Sequence, residues 1–374
     1  MSSLDPLLAR YGYGGDALRE GPTHPPFASI NYGAGGIAYA VYRLARLHAA
    51  SHLIELADAW VQKAFALSSH VNAFYDPKIE IEPATVGETS LFHSLSGLHC
   101  ISGLVGIARR DATSSNRAIA AFAEHSRRPC ENPDLTLGKA SILLGCAELV
   151  EATPAASPVD LRPVQIRGDQ IAEELLGILR SDQIAASTRI AYLGIAHGWA
   201  GLLFTLLRWT RAMRRQASLV LPAKLDELAA LAVAHNRGLC WTVHNNTTWL
   251  MPGWCNGTAG YTMLFALAHE VLGDERYSRI AVGAAESAWA IKTQGGSLCC
   301  GNAGNGYAFL AAYRLTGSGI WLRRARAAAR QAATDRSEHH YPDALYKGAL
   351  GVVLLGCELQ RPRKAAMPLF EPTR

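Results

Sequence analysis

An all-α fold, a closed α/α toroid of about fourteen helices, is what this sequence predicts, and three observations predict it. A Gly-x-x-Gly element recurs along most of the chain, an apolar stretch follows each copy, and amphipathic segments lie between copies. Self-similarity of this kind marks a repeat architecture, in which each unit buries its apolar face against the next. The ring is read as a single domain over residues 1–374, because length alone is only a soft guide to domain number.

The copies run in order as Gly33-Ala-Gly-Gly36, Ser94-Leu-Ser-Gly97, Gly138-Lys-Ala-Ser141, Gly198-Trp-Ala-Gly201, Gly257-Thr-Ala-Gly260, Gly301-Asn-Ala-Gly304 and Gly348-Ala-Leu-Gly351. The second and third are degraded. Starting positions are 44 to 61 residues apart, room for about two helices and their loops. Runs such as Leu202-Leu-Phe-Thr-Leu-Leu207 and Val352-Val-Leu-Leu355 read as buried inner helices, since a helix apolar all round has no solvent face. Residues 280–292 and 321–334 read as amphipathic outer helices, the second with Arg323, Arg324, Arg326 and Arg330 on a solvated face. Glycine suits such junctions because it lacks Cβ and lets a neighbouring backbone approach.

Aligned on the first residue of each copy, the preceding residues are Tyr32, His93, Leu137, His197, Asn256, Cys300 and Lys347. One position earlier stand Cys255 and Cys299. Equivalent positions of a closed ring face one end, so polar and metal-binding side chains collect at a single mouth. Vicinal Cys299 and Cys300 are poorly placed to bridge each other, because a relaxed disulfide needs its Cα atoms about 5.5–6 Å apart. Three thiols from two repeats suit a soft cation instead, with Cys255, Cys299 and Cys300 as zinc ligands and the fourth tetrahedral position open. His197 shares that register and is a site candidate on convergence. His93 and Lys347 share it without a defined role. Asp134, four residues before its copy, is either a helix N-cap or a site residue.

Composition narrows the class further. Hydrophobic residues make up 49% and charged residues 18%, which describes an ordered chain with a large core. The net charge of +5 is modest, and no nucleic-acid-binding motif is present. Met1-Ser-Ser-Leu-Asp-Pro6 lacks the charged and apolar regions of a signal peptide, and eight cysteines without one indicate reduced thiols and a cytoplasmic location. Residues 190–207 carry no Asp, Glu, Lys or Arg, but His197 and three glycines within them indicate a buried inner helix and not a membrane span. Cys100, Cys146 and Cys357 lie in apolar helical runs and read as core. Residues 153–163, 72–89 and 244–252 read as irregular connections.

Ala196-His-Gly-Trp-Ala-Gly201, Gly253-Trp-Cys-Asn-Gly257 and Leu298-Cys-Cys-Gly301 together resemble the signatures of the LanC-like proteins, the lanthionine synthetase cyclase family. The resemblance extends over nearly the whole chain and implies an α/α toroid with zinc at one mouth. Cys-Cys-Gly resembles the all-cysteine form of that zinc site. The resemblance also implies that His197 and Asp134 form an acid/base pair. The implied reaction adds a cysteine thiol of a dehydrated precursor peptide to dehydroalanine or dehydrobutyrine, closing a thioether ring. A separate kinase/lyase or dehydratase would make that substrate. Alternatives are addition of glutathione or another thiol to a protein containing dehydroamino acids, or a non-catalytic zinc scaffold. Two positions depart from the pattern of active cyclases of the nisin-type branch: Asn256 stands where they have Tyr or His, and Met251 where they have Arg.

Overall fold

The computed structural model describes residues 5–79, 81–335 and 341–372. Met1–Leu4 of the N-terminal segment considered above, and Glu80 of the 72–89 connection, lie outside them. Two short helices, α1 (Asp5–Tyr11) and α2 (Asp16–Glu20), precede the ring. Seven inner helices follow: α3 (Ala34–His48), α6 (Leu95–Arg109), α8 (Lys139–Ala152), α10 (Trp199–Ala212), α12 (Thr258–Leu272), α14 (Asn302–Thr316) and α16 (Ala349–Glu358). Each packs on the next, and α16 packs on α3, so the ring closes. Six outer helices flank them: α4 (Ser51–Leu67), α7 (Ala112–His125), α9 (Arg162–Ser181), α11 (Val220–Ala230), α13 (Glu275–Ala290) and α15 (Gly319–Thr334). A one-turn helix, α5 (Pro83–Val86), sits in the 72–89 connection.

The two layers follow from the sequence pattern. In α14 every residue from Ala303 to Ala312 is buried, Asn305 included, so this stretch of the inner helix has no solvent face. In α15 burial falls on Trp321, Ala325, Ala328 and Ala332, one stripe at helical period, while Arg323, Arg326 and Arg330 are exposed. Arg324 lies 4.6 Å from the Trp321 ring and pairs with Glu286. Four inner helices turn into their outer partners through two residues. The first is left-handed (Ala49, Arg110, Gly273, Gly317), and the second is extended and starts the next helix. That left-handed residue satisfies carbonyls at the helix end.

The first residue of all seven copies is the N-cap of an inner helix. A Cβ on the last glycine would strike the carbonyl oxygen six residues upstream: 2.2 Å from Ile30 at Gly36, 1.9 Å from Leu91 at Gly97, and 2.1 Å from Leu298 at Gly304. Glycine is therefore required here by close approach and not by an unusual φ.

Three features differ from the sequence expectation. Among the described residues no outer helix follows α16, and the C-terminal segment instead turns inward under the ring. Met367, Leu369 and Phe370 are fully buried there, with Phe370 stacked 3.7 Å from Phe204. Buried charges meet in pairs around this plug, Arg43 with Glu358, Arg208 with Glu148 and Glu151, and Arg314 with Glu371. Pairing offsets their desolvation. A two-stranded antiparallel hairpin, β1 (Val233–His235) and β2 (Gly238–Cys240), joins α11 to the fifth copy, turning at Asn236 with φ 52°. Finally, residues 190–198 are loop, and α10 starts only at Trp199. Cys100, Cys146 and Cys357 are core, as expected. No helix among the described residues is long and apolar enough to cross a membrane.

The loops that enter the inner helices form a belt. The amide of Ala196 donates to the Cys255 carbonyl (2.7 Å), Cys255 to Cys299 (3.0 Å), Cys299 to Tyr346 (2.9 Å), Leu345 to Asn31 (2.9 Å), and Ile30 to Phe92 (3.1 Å). Thr136 donates to Ala196 (3.2 Å), and the Ser90 hydroxyl closes the circle by donating to the Thr136 carbonyl (2.5 Å). Equivalent positions are thus tied side by side in repeat order.

Candidate metal centre and acid–base pair

The belt encloses a cavity of about 480 Å³ at the helix N-terminal end. Both residues before each inner-helix N-cap line it in all seven loops, from Asn31 and Tyr32 round to Tyr346 and Lys347. Trp254, Tyr346 and Phe92 lie in aromatic contact against it, and Trp254 stands edge-on to Phe370 of the plug, with ring centroids 5.3 Å apart. Ile79, Ile81 and Thr85 contribute from the 72–89 connection, and Tyr192, Val243 and Trp249 from the other side.

Cys255, Cys299 and Cys300 converge within this cavity, their sulfurs all within 4.8 Å of one another. Cys300 Sγ is 3.5 Å from both Cys255 Sγ and Cys299 Sγ. Thiolates about 2.3 Å from a tetrahedral zinc stand roughly 3.8 Å apart, so the donor set and its spacing fit such an ion with one position left over. Gly253 permits the convergence. A Cβ there would lie 2.8 Å from the Cys300 Cα, on backbone that has nowhere to go. The three sulfurs do not ionise alike. Hydrogen bonds with Cys255 and Cys299, then the Lys347 ammonium 3.5 Å away, hold the Cys300 thiol far below its ordinary value. Hydrogen bonds with Cys299 and Cys300, together with burial, push Cys255 well above it.

His197 enters from the neighbouring loop. Its Nδ1 lies 2.9 Å from Asp134 Oδ2 and 3.0 Å from Thr136 Oγ1. A carboxylate only accepts, so Nδ1 carries the proton and Nε2 is left for chemistry. Asp134 is not a helix cap: Gly138 occupies that place in α8, and Asp134 Oδ1 instead accepts the Leu137 amide at 2.5 Å. Thr136 is a residue that the register reading passes over. It occupies the same position as Cys255 and Cys299 in its own repeat, and reading both register positions in every copy would have found it.

The remaining register residues line the same cavity. His93 is buried beside Tyr32, its Nδ1 without a partner, and burial followed by repulsion from His197 lowers its pKa to about 3, so its imidazole is neutral. Buried polar atoms without partners also include Asn31 Oδ1, Trp254 Nε1 and Asn256 Oδ1. Their clustering around one cavity suits a polar ligand, because a buried unpaired group costs about 1–3 kcal/mol. Lys347 is the one Lys or Arg among the described lining residues, and no Asp or Glu is among them.

Comparison with known proteins agrees with this geometry. Residues 28–371 match the family model described as lanthionine synthetase C-like protein. The zebrafish (Danio rerio) protein named glutathione S-transferase LANCL1 is 29% identical over 188 residues, 48% of this chain and 46% of that protein. LanC-like protein GCL1 of Arabidopsis thaliana is 34% identical over 132 residues, 32% of this chain and 30% of that protein. The chain thus aligns with less than half the length of these curated relatives. The solved structure of nisin cyclase superposes with a TM-score of 0.70 at 13% identity, covering 96% of this chain and 93% of that one, and so shares the fold. On the strength of a match running through all seven repeats, this chain belongs to the lanthionine synthetase C-like family.

Proposed function

We propose that this chain is a zinc-dependent cyclase that adds peptide cysteine thiols to dehydroalanine or dehydrobutyrine. The observation that carries this reading is the presence of a three-thiol cluster and a carboxylate-oriented histidine on neighbouring loops of one cavity. Cys255, Cys299 and Cys300 would hold the zinc, which when bound lowers the pKa of a substrate thiol so that its thiolate is present near neutral pH. The substrate sulfur attacks the β-carbon of the dehydroamino acid, a C–S bond forms, and the electron pair moves to the α-carbon as an enolate. His197 Nε2 takes up the proton that the substrate thiol loses and then delivers it to that α-carbon, while Asp134 holds Nδ1 and stabilises the charged ring in between. The aromatic floor, with Ile79 and Ile81 on another side, shelters the enolate from water.

A second reading, glutathione as the thiol donor, is favoured by the name of the zebrafish relative. The lining weighs against it here. Glutathione carries two carboxylates, and the cavity offers one cation among its described residues, already engaged with Cys300. A neutral peptide backbone matches the unpaired Asn31, Asn256 and Trp254 groups better. The test is metal analysis of protein expressed with zinc, followed by assay of thiol loss and thioether mass. One substrate is a peptide containing both cysteine and dehydroalanine, the other a dehydroalanine peptide supplied with glutathione. Ring closure outpacing glutathione addition is expected. The reverse order favours the second reading, bound zinc without turnover on either favours a scaffold, and absence of zinc overturns the site.

A further inference from the structure

The three-cysteine centre raises a charge problem that the sequence answers one repeat later. Three thiolates outweigh a divalent cation by one negative charge, and a substrate thiolate would add another. The site is walled by Trp254 and Tyr346, which strengthen every such repulsion by excluding water. No Lys or Arg other than Lys347 lines the cavity among the described residues.

We propose that Lys347 is the counter-cation of the cysteine centre, the group that lets an all-thiolate site keep its metal and still accept a fourth sulfur. The assignment rests on the zinc reading given above. Lys347 Nζ donates to Cys300 Sγ at 3.5 Å. Its place there is built in. Lys347 precedes the N-cap of α16 as Cys300 precedes that of α14, and the belt bond from the Cys299 amide to the Tyr346 carbonyl (2.9 Å) sets the two loops side by side. The next loop fixes the other flank through Leu345 and the Asn31 carbonyl at 2.9 Å. No carboxylate competes for the ammonium among the described cavity residues. Tyr32, its neighbour, is held neutral, since burial pushes that phenol up to about 12. Lys347 is exposed at the rim, so its replacement leaves the core intact.

This makes Lys347 a positioning residue for metal and thiolate rather than a proton donor, and the two roles separate experimentally. Wild type, Lys347→Met and Lys347→Arg are loaded with zinc and titrated with a chromophoric chelator. The same three proteins are loaded with cobalt, and mercaptoethanol binding is followed by the thiolate-to-cobalt charge-transfer band. Lys347→Met is expected to release zinc and to bind mercaptoethanol about tenfold less favourably, the scale of one hydrogen bond to a charged group. Lys347→Arg is expected to restore most of both, and all three should melt at the same temperature. A metal-binding wild type matched by Lys347→Met in both titrations overturns the assignment alone. Failure of Lys347→Arg to rescue also overturns it, because charge would then not be what matters. A wild type that binds neither metal overturns it together with the zinc reading.

Discussion

Asp134 divides its carboxylate between the turn it sits in and the histidine across the belt: Oδ1 accepts the Leu137 amide at 2.5 Å, and Oδ2 lies 2.9 Å from His197 Nδ1. The first of these contacts is a repeat feature. At the same place in their own copies, Ser29 accepts the Tyr32 amide at 3.0 Å and Ser297 the Cys300 amide at 3.4 Å. A side-chain oxygen capping the amide three residues on is a common turn device. Asp134 performs it with one oxygen and has a second to spare. A turn position has thus acquired a reach that a serine lacks.

Asp134→Ser therefore separates turn from site. The serine hydroxyl should cap the Leu137 amide as Ser29 and Ser297 do in their loops, so the melting temperature should change by no more than the equivalent of about 1 kcal/mol. Thioether formation should fall towards the level of His197→Asn, for which a loss of roughly 10²–10⁴-fold is expected of a general acid/base. Both variants should retain their metal. Unchanged turnover in either would return that residue to a structural role.

Much of this was legible because the repeats are enforced by contact. The last glycine of six copies is pinned by a carbonyl six residues upstream, and in the third copy, which keeps the same turn, Ser141 stands in its place and its hydroxyl accepts the Leu91 amide. The meeting of Cys255, Cys299 and Cys300 followed from register alone. Helix ends were less legible: the segment read as 280–292 is α13 from Glu275 to Ala290, because Asp274 caps the Arg276 amide a turn earlier. The C-terminal plug was not legible, since Met367 and Phe370 fill the ring axis through contacts with residues such as Phe204, far away in sequence. Thr136 stands at the register position of Cys255 and Cys299, but its residue type alone does not announce the bridge it makes between Asp134 and His197.

Cys299→Ala should abolish stable zinc binding and leave the ring folded. The core runs through all seven inner helices and the plug, and a chain of this size does not need a metal staple. Helical circular dichroism and the thermal midpoint, with and without chelator, provide the measurement. A cooperative loss of helix on chelation of the wild type would make the centre structural.

Gly253→Ala should loosen the centre without touching a ligand. The added Cβ would fall 2.8 Å from both the Cα and the carbonyl oxygen of Cys300, and backbone cannot yield there without carrying the sulfur away from Cys255. Zinc affinity by chelator competition should drop about 10–100-fold, the range seen when a support of a metal ligand is lost. Alanine at Gly273, where nothing lies within 4 Å, is the control: it acts on a left-handed helix end and should lower stability alone. Wild-type zinc affinity in Gly253→Ala would show that the loops have slack.

Asn256→His tests whether the departure beside the first cysteine limits the chemistry. Asn256 lies between His197 and Cys300 in the order of the belt, and its buried Oδ1 has no partner. Its amide can accept or donate a hydrogen bond but cannot transfer a proton near neutral pH. A histidine there adds a group that titrates near pH 6.5, beside the cavity where the α-carbon must be protonated. Ring closure on a dehydrated peptide should be faster in Asn256→His than in wild type, with equal zinc content in the two. Pairing it with His197→Asn sharpens the outcome. If position 256 can supply the proton, the double variant should recover part of what His197→Asn loses. A wild type already as fast as Asn256→His would mean that His197 suffices and that Asn256 serves to hold substrate through its free carbonyl oxygen.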